Sequence, residues 1–281
     1  MIIDGKLVSS EIRKSLKSQV DSIKAEYNKV PGLAVIIVGN NPASEVYVRN
    51  KERACAEIGI RSLRYSLPED VSEKEILDII SELNSDPDVN GILVQLPLPK
   101  GLDENKILSS INVNKDVDGF SAYQTGRLTL GQDALTSCTP TGIMELLKYY
   151  NVDPTGKHAV VVGRSNIVGK PMSLLLLKAN ATVTVCHSKT KNIADITKSG
   201  DIVVVAIGKP GFLSADMIKE GAVVIDVGIT RTENGLKGDV DYEEVSKKAS
   251  LITPVPGGVG PMTITMLMSN TVKAFFMQNA R

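Results

Sequence analysis

Tyr47 and Lys51 stand four residues apart in a segment whose pattern predicts a helix over residues 42–58. On a helical wheel both fall on the apolar side with Val48 and Cys55, because positions i and i+4 share a face. A lysine on an apolar stripe either extends its ammonium group to the rim or is partly desolvated, and desolvation lowers its pKa towards values useful in acid–base chemistry. The pair therefore predicts either a proton-transfer group or an ordinary structural contact.

Two further polar residues follow apolar or irregular segments. Gln95 closes the apolar run 91–95. Because ligands of open αβ sheets bind beyond the carboxyl ends of strands, this position favours a ligand-binding role for Gln95 over that of an ordinary glutamine at the edge of a sheet. Asp118 precedes Gly119 in an irregular segment. Its carboxylate can accept two hydrogen bonds from a planar ring rich in N–H groups, or it can cap a turn. The residues alone leave both roles of Asp118 open.

A glycine-bounded turn interrupts the segment 159–171, between an apolar run and a predicted helix. Its spacing, Gly163-x-Ser165-x-x-x-Gly169, is one residue longer than G-x-G-x-x-G and has serine at the second glycine. Such a turn is typical of a parallel strand that presents a phosphate group to a helix N-terminus. The alternative is the glycine loop of an αβ protein that binds no nucleotide.

The next predicted strand, 182–186, ends in His187, Ser188 and Lys189. An NAD-binding site usually has an acidic residue at this point, which accepts a hydrogen bond from the ribose 2′-hydroxyl. No carboxylate is present here to repel a 2′-phosphate, and Arg164 in the turn adds a cation. The sequence therefore favours NADP over NAD.

The histidines and cysteines indicate neither a metal site nor a catalytic triad. His158 and His187 have no acidic residue at triad or metal-ligand spacing. The three cysteines are odd in number and widely spaced, which argues against a disulfide framework or zinc site and for a reducing compartment.

Charge and hydropathy narrow the class of partner. Lys+Arg and Asp+Glu both total 32, so the chain has no basic footprint for nucleic acid or an anionic membrane. No segment approaches the run of about 20 apolar residues that spans a bilayer, and the first residues have no signal-peptide core. We expect a cytoplasmic protein with a small-molecule partner, although an organelle protein without its transit peptide would have the same features.

Continuous apolar runs predict parallel strands covered on both faces. The predicted strands are 33–38, 61–66, 91–95, 158–162, 182–186, 202–206 and 223–227. The predicted helices are 8–28, 42–58, 72–84, 103–110, 141–150, 169–179, 191–197, 214–219 and 262–278. This pattern predicts an α/β fold of two αβα domains, 1–139 and 140–261, the second Rossmann-like, with a cleft between them. The last helix, 262–281, is expected to return to the first domain.

Five motifs together resemble the bifunctional methylenetetrahydrofolate dehydrogenase/methenyltetrahydrofolate cyclohydrolase family. They are Tyr47–Lys51, Val94–Pro99, Lys115–Gly119, Val162–Ser165 and Pro254–Pro261. The resemblance covers essentially the whole chain. It implies a homodimer that uses NADP, holds tetrahydrofolate derivatives in the interdomain cleft, and serves one-carbon metabolism and purine biosynthesis.

The same resemblance implies roles for individual residues. Lys51 is the catalytic lysine, Gln95 tunes it, Tyr47 orients the folate and Asp118 holds the pterin, while the loop 257–261 closes on the ligand. Further substrate-binding residues implied are Ser44, Val94, Leu96, Pro97, Pro256, Gly257, Gly258 and Pro261. The implied NADP-binding residues are Gly163, Arg164, Ser165, Gly169, Ser188 and Ile229, and no metal is implied.

The implied activity is oxidation of 5,10-methylenetetrahydrofolate to 5,10-methenyltetrahydrofolate with NADP, followed by hydrolysis to 10-formyltetrahydrofolate. A short-chain dehydrogenase also uses Tyr-x-x-x-Lys, but its nucleotide loop precedes that pair, whereas Tyr47 comes long before Gly163. Two alternatives stay open: a shikimate-dehydrogenase-like NADP oxidoreductase, and a catalytically silent nucleotide-sensing protein on the same fold.

Overall fold

The computed structural model describes residues 1–233 and 235–279. They form two compact units. The small-sheet unit comprises Glu11–Cys138 and the described residues of Ile264–Arg281, and the large-sheet unit comprises Met1–Ser10 and the described residues of Thr139–Thr263. The first ten residues thus belong to the same unit as most of the second half of the chain. The sequence had instead predicted that residues 1–139 form one domain.

The helices and strands follow one another in a regular αβ order. The helices are α1 Gly5–Tyr27, α2 Pro42–Ile58, α3 Glu73–Ser85, α4 Glu104–Ser109, α5 Ala122–Thr129, α6 Cys138–Tyr149, α7 Gly169–Lys178, α8 Ile193–Lys198, α9 Tyr242–Lys248 and α10 Val259–Asn279. The strands are β1 Gly32–Val38, β2 Arg61–Leu67, β3 Gly91–Val94, β4 His158–Val162, β5 Thr182–Cys186, β6 Ile202–Val205, β7 Val223–Asp226, β8 Thr230–Thr232, β9 Gly235–Lys237 and β10 Leu251–Ile252.

The small-sheet unit has three parallel strands in the order β2-β1-β3. Strands β1 and β3 are buried along their whole length, whereas the edge strand β2 alternates between exposed and half-buried residues. A bridge between Ile92 and Asp116 places residues around Asp116 parallel to β3. The segments that follow β1, β3 and Asp116 therefore emerge at the same edge of the sheet.

The large-sheet unit has five parallel strands in the order β10-β7-β6-β4-β5. The chain runs from β4 to its neighbour β5 and then crosses to β6 on the other side of β4. This reversal makes the carboxyl ends of β4 and β6 the topological switch point, where open αβ sheets bind ligands. The parallel, covered strands confirm the predicted α/β class.

Several elements differ from the predicted ones. Helix α5 was not predicted, because it buries only Gln124 and Leu128 and so has a short periodic signal, although Ser121 caps it. The helix expected over 214–219 is a single 3-10 turn, Ala215–Met217. The hairpin β8–β9 and helix α9 were also missed. Within residues 1–233 and 235–279, no helix combines the length and apolar character needed to cross a bilayer.

Candidate functional site

Helix α2 starts and packs as its sequence predicts. The side-chain oxygen of Asn41 accepts a hydrogen bond from the Ser44 N–H at 3.3 Å, which caps the first turn after Pro42 begins the helix. Val48 on the inner face is fully buried, and Lys51, one turn later, is only 9% exposed. Lys51 is therefore desolvated and does not extend to the rim.

Lys51 reaches the end of strand β3. Its Nζ donates a hydrogen bond to Gln95 Oε1 at 3.0 Å, and Gln95 Nε2 donates to the Leu96 carbonyl at 2.7 Å, so the two contacts agree on the amide orientation. The Gln95 N–H also bonds the Ile36 carbonyl of β1 at 2.8 Å. Burial lowers the pKa of Lys51, while the nearby charge of Asp118 acts in the opposite direction. The sheet edge thus holds an amine prepared for proton transfer.

The two aspartates of the turn after residue 115 differ in their hydrogen-bond partners. Asp116 Oδ1 accepts the N–H groups of Gly119 at 3.0 Å and Phe120 at 3.3 Å, and Oδ2 accepts that of Ser121 at 2.8 Å. Asp116 is therefore the turn-capping residue. No protein group in the described part of the chain donates a hydrogen bond to the Asp118 carboxylate, which remains available to a ligand.

Asp118 titrates in an unusual range. Burial raises its pKa to about 6, with the positive charge of Lys51 lowering the pKa and the negative charge of Asp116 raising it. Asp118 and Lys51 therefore influence each other electrostatically. The structure places an amine, an amide and a carboxylate with unused acceptor capacity together in the small-sheet unit.

Other side chains hold this turn in place. Lys115 Nζ donates to the carbonyl of Leu83, in the last turn of α3, at 2.8 Å and to that of Asp86, just after the helix, at 2.6 Å. The Val117 carbonyl accepts hydrogen bonds from Asn270 Nδ2 at 2.8 Å and from the Cys138 thiol at 3.4 Å. Asn270 was not predicted as a site residue, because it acts on a residue 153 positions away and no local pattern marks it.

The remaining predicted residues of the small-sheet unit lie near Lys51 and Gln95 in the chain. Tyr47 lies one turn before Lys51 and is 42% exposed, so its ring is open to a ligand. Ser44 on α2 and Val94 at the end of β3 are buried. Leu96 and Pro97 continue from Gln95 through a cis peptide bond.

The predicted loop 254–261 belongs to the large-sheet unit and packs against the start of α1. The Gly5 N–H donates to the Gly257 carbonyl at 3.0 Å, and a Cβ on Gly5 would lie 1.7 Å from the Gly258 carbonyl oxygen. Pro256 precedes this contact. Helix α10 begins at Val259, so Pro261 lies in the first turn of this helix and not in the loop. Proline is tolerated there because the N–H groups of a first helical turn have no partner within the helix.

The glycine turn follows β4 at the switch point. A Cβ on Gly163 would lie 2.4 Å from the Ala206 carbonyl oxygen, and one on Gly169 would lie 2.2 Å from the Gly163 carbonyl oxygen. Both positions therefore require glycine. Ser165 Oγ accepts the N–H groups of Val168 at 3.1 Å and Gly169 at 3.3 Å, which fixes the start of α7. The result is a backbone cradle with the α7 N-terminus behind it.

Cationic and polar side chains surround this cradle. Arg164, Ser188 and Lys189 are exposed. The two cations, Arg164 and Lys189, form no ion pair with a described residue. Ile229 is also exposed and lies close to the start of α10, 3.5 Å from a Cβ built on Gly260. The cradle and the cations fit a dinucleotide that carries a 2′-phosphate.

His158 has a structural role in the large-sheet unit. His158 Nε2 hydrogen bonds with Thr184 Oγ1 at 2.9 Å, and its Nδ1 lies near the Ser199 carbonyl, so the ring joins neighbouring segments of the large sheet. In residues 1–233 and 235–279, no cluster of three or more His, Cys, Asp or Glu residues could hold a metal ion.

Both parts of the chain match known domain families. Residues 3–118 match "tetrahydrofolate dehydrogenase/cyclohydrolase, catalytic domain", and residues 137–279 match the NAD(P)-binding domain of the same family. The bifunctional protein FolD of Campylobacter hominis is 59% identical over 97% of this chain and 96% of its own length. The FolD of Agathobacter rectalis is also 59% identical, over 97% of this chain and 98% of its own length.

Solved structures agree with these matches. The methylenetetrahydrofolate dehydrogenase/cyclohydrolase FolD from Campylobacter jejuni has a TM-score of 0.96 at 52% identity, covering 98% of each chain. The Trypanosoma brucei enzyme, complexed with NADP cofactor and inhibitor, has a TM-score of 0.95 at 40% identity, covering 100% of this chain and 99% of that one. Shikimate dehydrogenase from Aquifex aeolicus, at 15% identity over 89% of this chain and 93% of that one, with a TM-score of 0.52, shares the fold alone. The chain therefore belongs to the tetrahydrofolate dehydrogenase/cyclohydrolase family.

Proposed function

We propose that this protein oxidises 5,10-methylenetetrahydrofolate to the 5,10-methenyl form with NADP and then hydrolyses that product to 10-formyltetrahydrofolate. The observation that carries the proposal is the buried Lys51 amine, held by Gln95 near the unpaired carboxylate of Asp118. The small-sheet unit is the folate-binding part, and the large-sheet unit is the NADP-binding part.

The first reaction depends on alignment. NADP, when bound, accepts the hydride that leaves the methylene carbon between N5 and N10 of the folate. The protein's contribution is to hold the pterin in one orientation, through the two acceptor oxygens of Asp118 and the exposed ring of Tyr47. The oxidised folate carries a positive charge, so a neutral Lys51 favours its formation over a charged one.

The second reaction needs proton transfer. Water attacks the cationic methenyl carbon, and both of its protons leave the oxygen as the formyl C=O forms. One proton is taken up by N5 as the C–N5 bond breaks, and the other is released to solvent. Burial lowers the pKa of Lys51, which raises the fraction of the amine that is neutral and able to accept a proton, and Gln95 Oε1 accepts the hydrogen bond that the amine donates. One lysine can therefore serve both proton transfers.

The nucleotide-binding part has residues suited to NADP. Gly163 and Gly169 leave the space that a Cβ would fill, and α7 begins directly after the turn, so the positive end of its dipole faces a phosphate bound there. Arg164 and Ser188 are exposed beside this turn and supply contacts for the 2′-phosphate. A homodimer in the cytoplasm, with no nucleic-acid or membrane partner, completes the proposal and follows from the resemblance, the balanced charge and the unpaired cysteines.

A spectrophotometric assay of both steps with purified protein tests this function. We expect NADPH production from 5,10-methylenetetrahydrofolate and decay of the methenyl absorbance on addition of the methenyl compound. NADPH production from shikimate, without folate activity, would support the alternative oxidoreductase. Nucleotide binding without turnover of either substrate would support a silent sensing protein.

Arg164→Ala should weaken NADP binding selectively. Loss of one charge-assisted hydrogen bond to phosphate costs about 1.5–3 kcal/mol, so we expect the NADP Michaelis constant to rise roughly ten- to a hundredfold. The Michaelis constant for NAD, which lacks the phosphate, should barely change. Lys198→Ala, an exposed lysine at the end of α8 in the same unit and before β6 begins, serves as control. Equal weakening towards both cofactors by Arg164→Ala would assign Arg164 to loop support instead.

Folate affinity should depend on the ionisation of Asp118. Its pKa of about 6 in the free protein means that the carboxylate is protonated below that pH, and a protonated carboxyl accepts fewer hydrogen bonds from the pterin. We expect the folate dissociation constant, measured by isothermal titration calorimetry, to rise as the pH falls from 7.5 to 5. A pH-independent constant would contradict the role of Asp118.

A further inference from the structure

Asn270 is a buried polar residue of α10 to which the proposed chemistry gives no role. It belongs to the small-sheet unit and contacts the carbonyl groups of Val117, 153 positions earlier, and Thr136, 134 positions earlier. Burial of an amide is costly unless its N–H groups find acceptors, so the groups that it contacts indicate its role. One of them, Val117, directly precedes Asp118.

The Asn270 amide uses its two N–H bonds on two backbone carbonyls. Nδ2 donates to the Val117 carbonyl at 2.8 Å and to the Thr136 carbonyl at 2.9 Å. A carbonyl oxygen can only accept, so these contacts fix the amide orientation. The Cys138 thiol also donates to the Val117 carbonyl, at 3.4 Å, but a thiol is a weak donor. Asn270 is therefore the stronger of the two donors to this carbonyl.

The two carbonyls belong to backbone segments that pack on each other. A Cβ on Gly119 would lie 2.4 Å from the Leu135 carbonyl oxygen and 2.6 Å from the Thr136 carbonyl carbon. Gly119 also has a φ of +70°, which L side chains rarely adopt, so the close approach requires glycine. Asn270 thus joins the turn that carries Asp118 to the segment against which this turn packs.

The peptide groups on both sides of Asp118 are held by other residues. A peptide group is planar, so the Val117 carbonyl and the Asp118 N–H move as one unit, which Asn270 holds. The Gly119 N–H belongs to the next peptide group and donates to Asp116 Oδ1 at 3.0 Å. The Cα–Cβ bond of Asp118 lies between these two planes, so its direction follows from theirs. The two contacts therefore set the position from which the Asp118 carboxylate reaches a ligand.

We propose that Asn270 is a positioning residue for pterin recognition, which holds the 117–118 peptide group in the orientation that presents the Asp118 carboxylate to the pterin. The inference rests on the proposed function, in particular on the contact between Asp118 and the pterin. Without Asn270, the Val117 carbonyl keeps only the weak thiol donor, and the peptide group is free to turn. The carboxylate then leaves the geometry that two hydrogen bonds to one planar edge require. In this role Asn270 acts through Asp118 and not on the substrate.

Asn270→Leu tests this role, because leucine has nearly the shape of asparagine and no hydrogen-bond donor. We expect the dissociation constant for tetrahydrofolate, measured by isothermal titration calorimetry, to rise roughly tenfold or more, as on loss of one charge-assisted hydrogen bond. NADP affinity should stay at the parent value, because NADP binds the large-sheet unit. Asn270→Ser keeps one donor, so its dissociation constant for tetrahydrofolate should lie between those of the parent and Asn270→Leu.

Thr271→Val is the matched control. Thr271 is the next residue of α10, is also buried, and donates its hydroxyl to the Leu267 carbonyl of the same helix at 2.8 Å. The variant removes a buried hydrogen bond without changing a contact of the Asp118 turn. Its Tm should fall, as that of Asn270→Leu should, while its affinity for tetrahydrofolate stays at the parent value. An equal loss of affinity in both variants would overturn the proposal, because any loosening of α10 would then have the same effect.

A double-mutant cycle determines whether Asn270 acts through Asp118. If it does, Asn270→Leu should change the dissociation constant for tetrahydrofolate by less than about threefold once Asp118→Asn has removed the carboxylate. The same factor with and without Asp118→Asn would overturn the proposal. If Asn270→Leu does not fold, the same cycle with Asn270→Ser gives the answer by the same criterion. A parent that binds no tetrahydrofolate would overturn the proposed function instead.

Discussion

Lys51→Met should abolish cyclohydrolase activity, with a loss of about 10³-fold in kcat, because the proton transfers of hydrolysis then have no side-chain carrier. Folate binding should remain measurable, since methionine keeps the aliphatic stem of the lysine. Hydride transfer should suffer less, because that step depends on alignment more than on proton transfer. The measurement is the decay of methenyl absorbance, and hydrolysis at the parent rate would refute the assignment.

The stability of this variant separates a catalytic lysine from a structural one. Burial lowers the pKa of Lys51 below its unfolded value, so the buried amine costs folding free energy at neutral pH, and its removal should leave Tm equal or higher. Lys115→Met is the matched control, because Lys115 is equally buried but bonds the carbonyls of Leu83 and Asp86. Its loss should cost about 2–4 kcal/mol of folding free energy, since two carbonyls lose a charged donor.

Asp118→Asn should damage both activities together, roughly a hundredfold in kcat/KM. The pterin edge presents an amide-like N–H and an exocyclic amine, and a carboxylate can accept from both. Asparagine turns one acceptor into a donor that faces a donor, which leaves a desolvated group unpaired at a cost of about 1–3 kcal/mol. Folate affinity and the rates of both steps are the measurements, and unchanged folate affinity would exclude the pterin contact.

Two further readouts make this experiment specific. NADP affinity should stay at the parent value, and Tm should stay equal or rise, because the variant removes a half-buried carboxylate that accepts no hydrogen bond from a described residue. Asp116→Asn is the control: its amide would oppose at least one of the N–H groups of Gly119, Phe120 and Ser121, so it should lower Tm. Early unfolding of Asp118→Asn would instead assign a structural role to Asp118.

Features that depend on neighbours in the sequence were predictable for this protein. The continuous apolar runs predicted the parallel strands, and Asn41 with Pro42 marked the start of α2. The helical period placed Lys51 on the buried face of α2. Helix α5 was not predicted, because its two buried residues give too short a periodic pattern. The start of α10 was predicted too late in the chain, because a proline in the first turn of a helix resembles part of a loop.

The composition of the site was decided by the tertiary structure. The bond from Lys51 to Gln95 joins a helix to a strand end 44 residues away, and it forms only because β1 and β3 pair in parallel. The sequence left two roles open for Asp118, and the tertiary structure favours the ligand-binding one, because the N–H groups of Gly119 and Ser121 donate to Asp116 instead. Hydrogen bonds of that kind depend on where the backbone points, which residue types alone do not specify.

Two buried aspartates in the large-sheet unit show the same limit. Asp226 ends β7 and Asp239 follows β9, and nothing in the sequence around either residue marks the contact between them. Their burial, their shared contact and the unpartnered oxygen of Asp239 arise when the β8–β9 hairpin brings the chain back to the end of β7. Local periodicity and turn chemistry in the sequence determined the helices and strands of this protein. The tertiary structure decided which polar groups lost contact with water and which kept a free hydrogen-bonding position. The reason is that desolvation depends on how the whole chain packs.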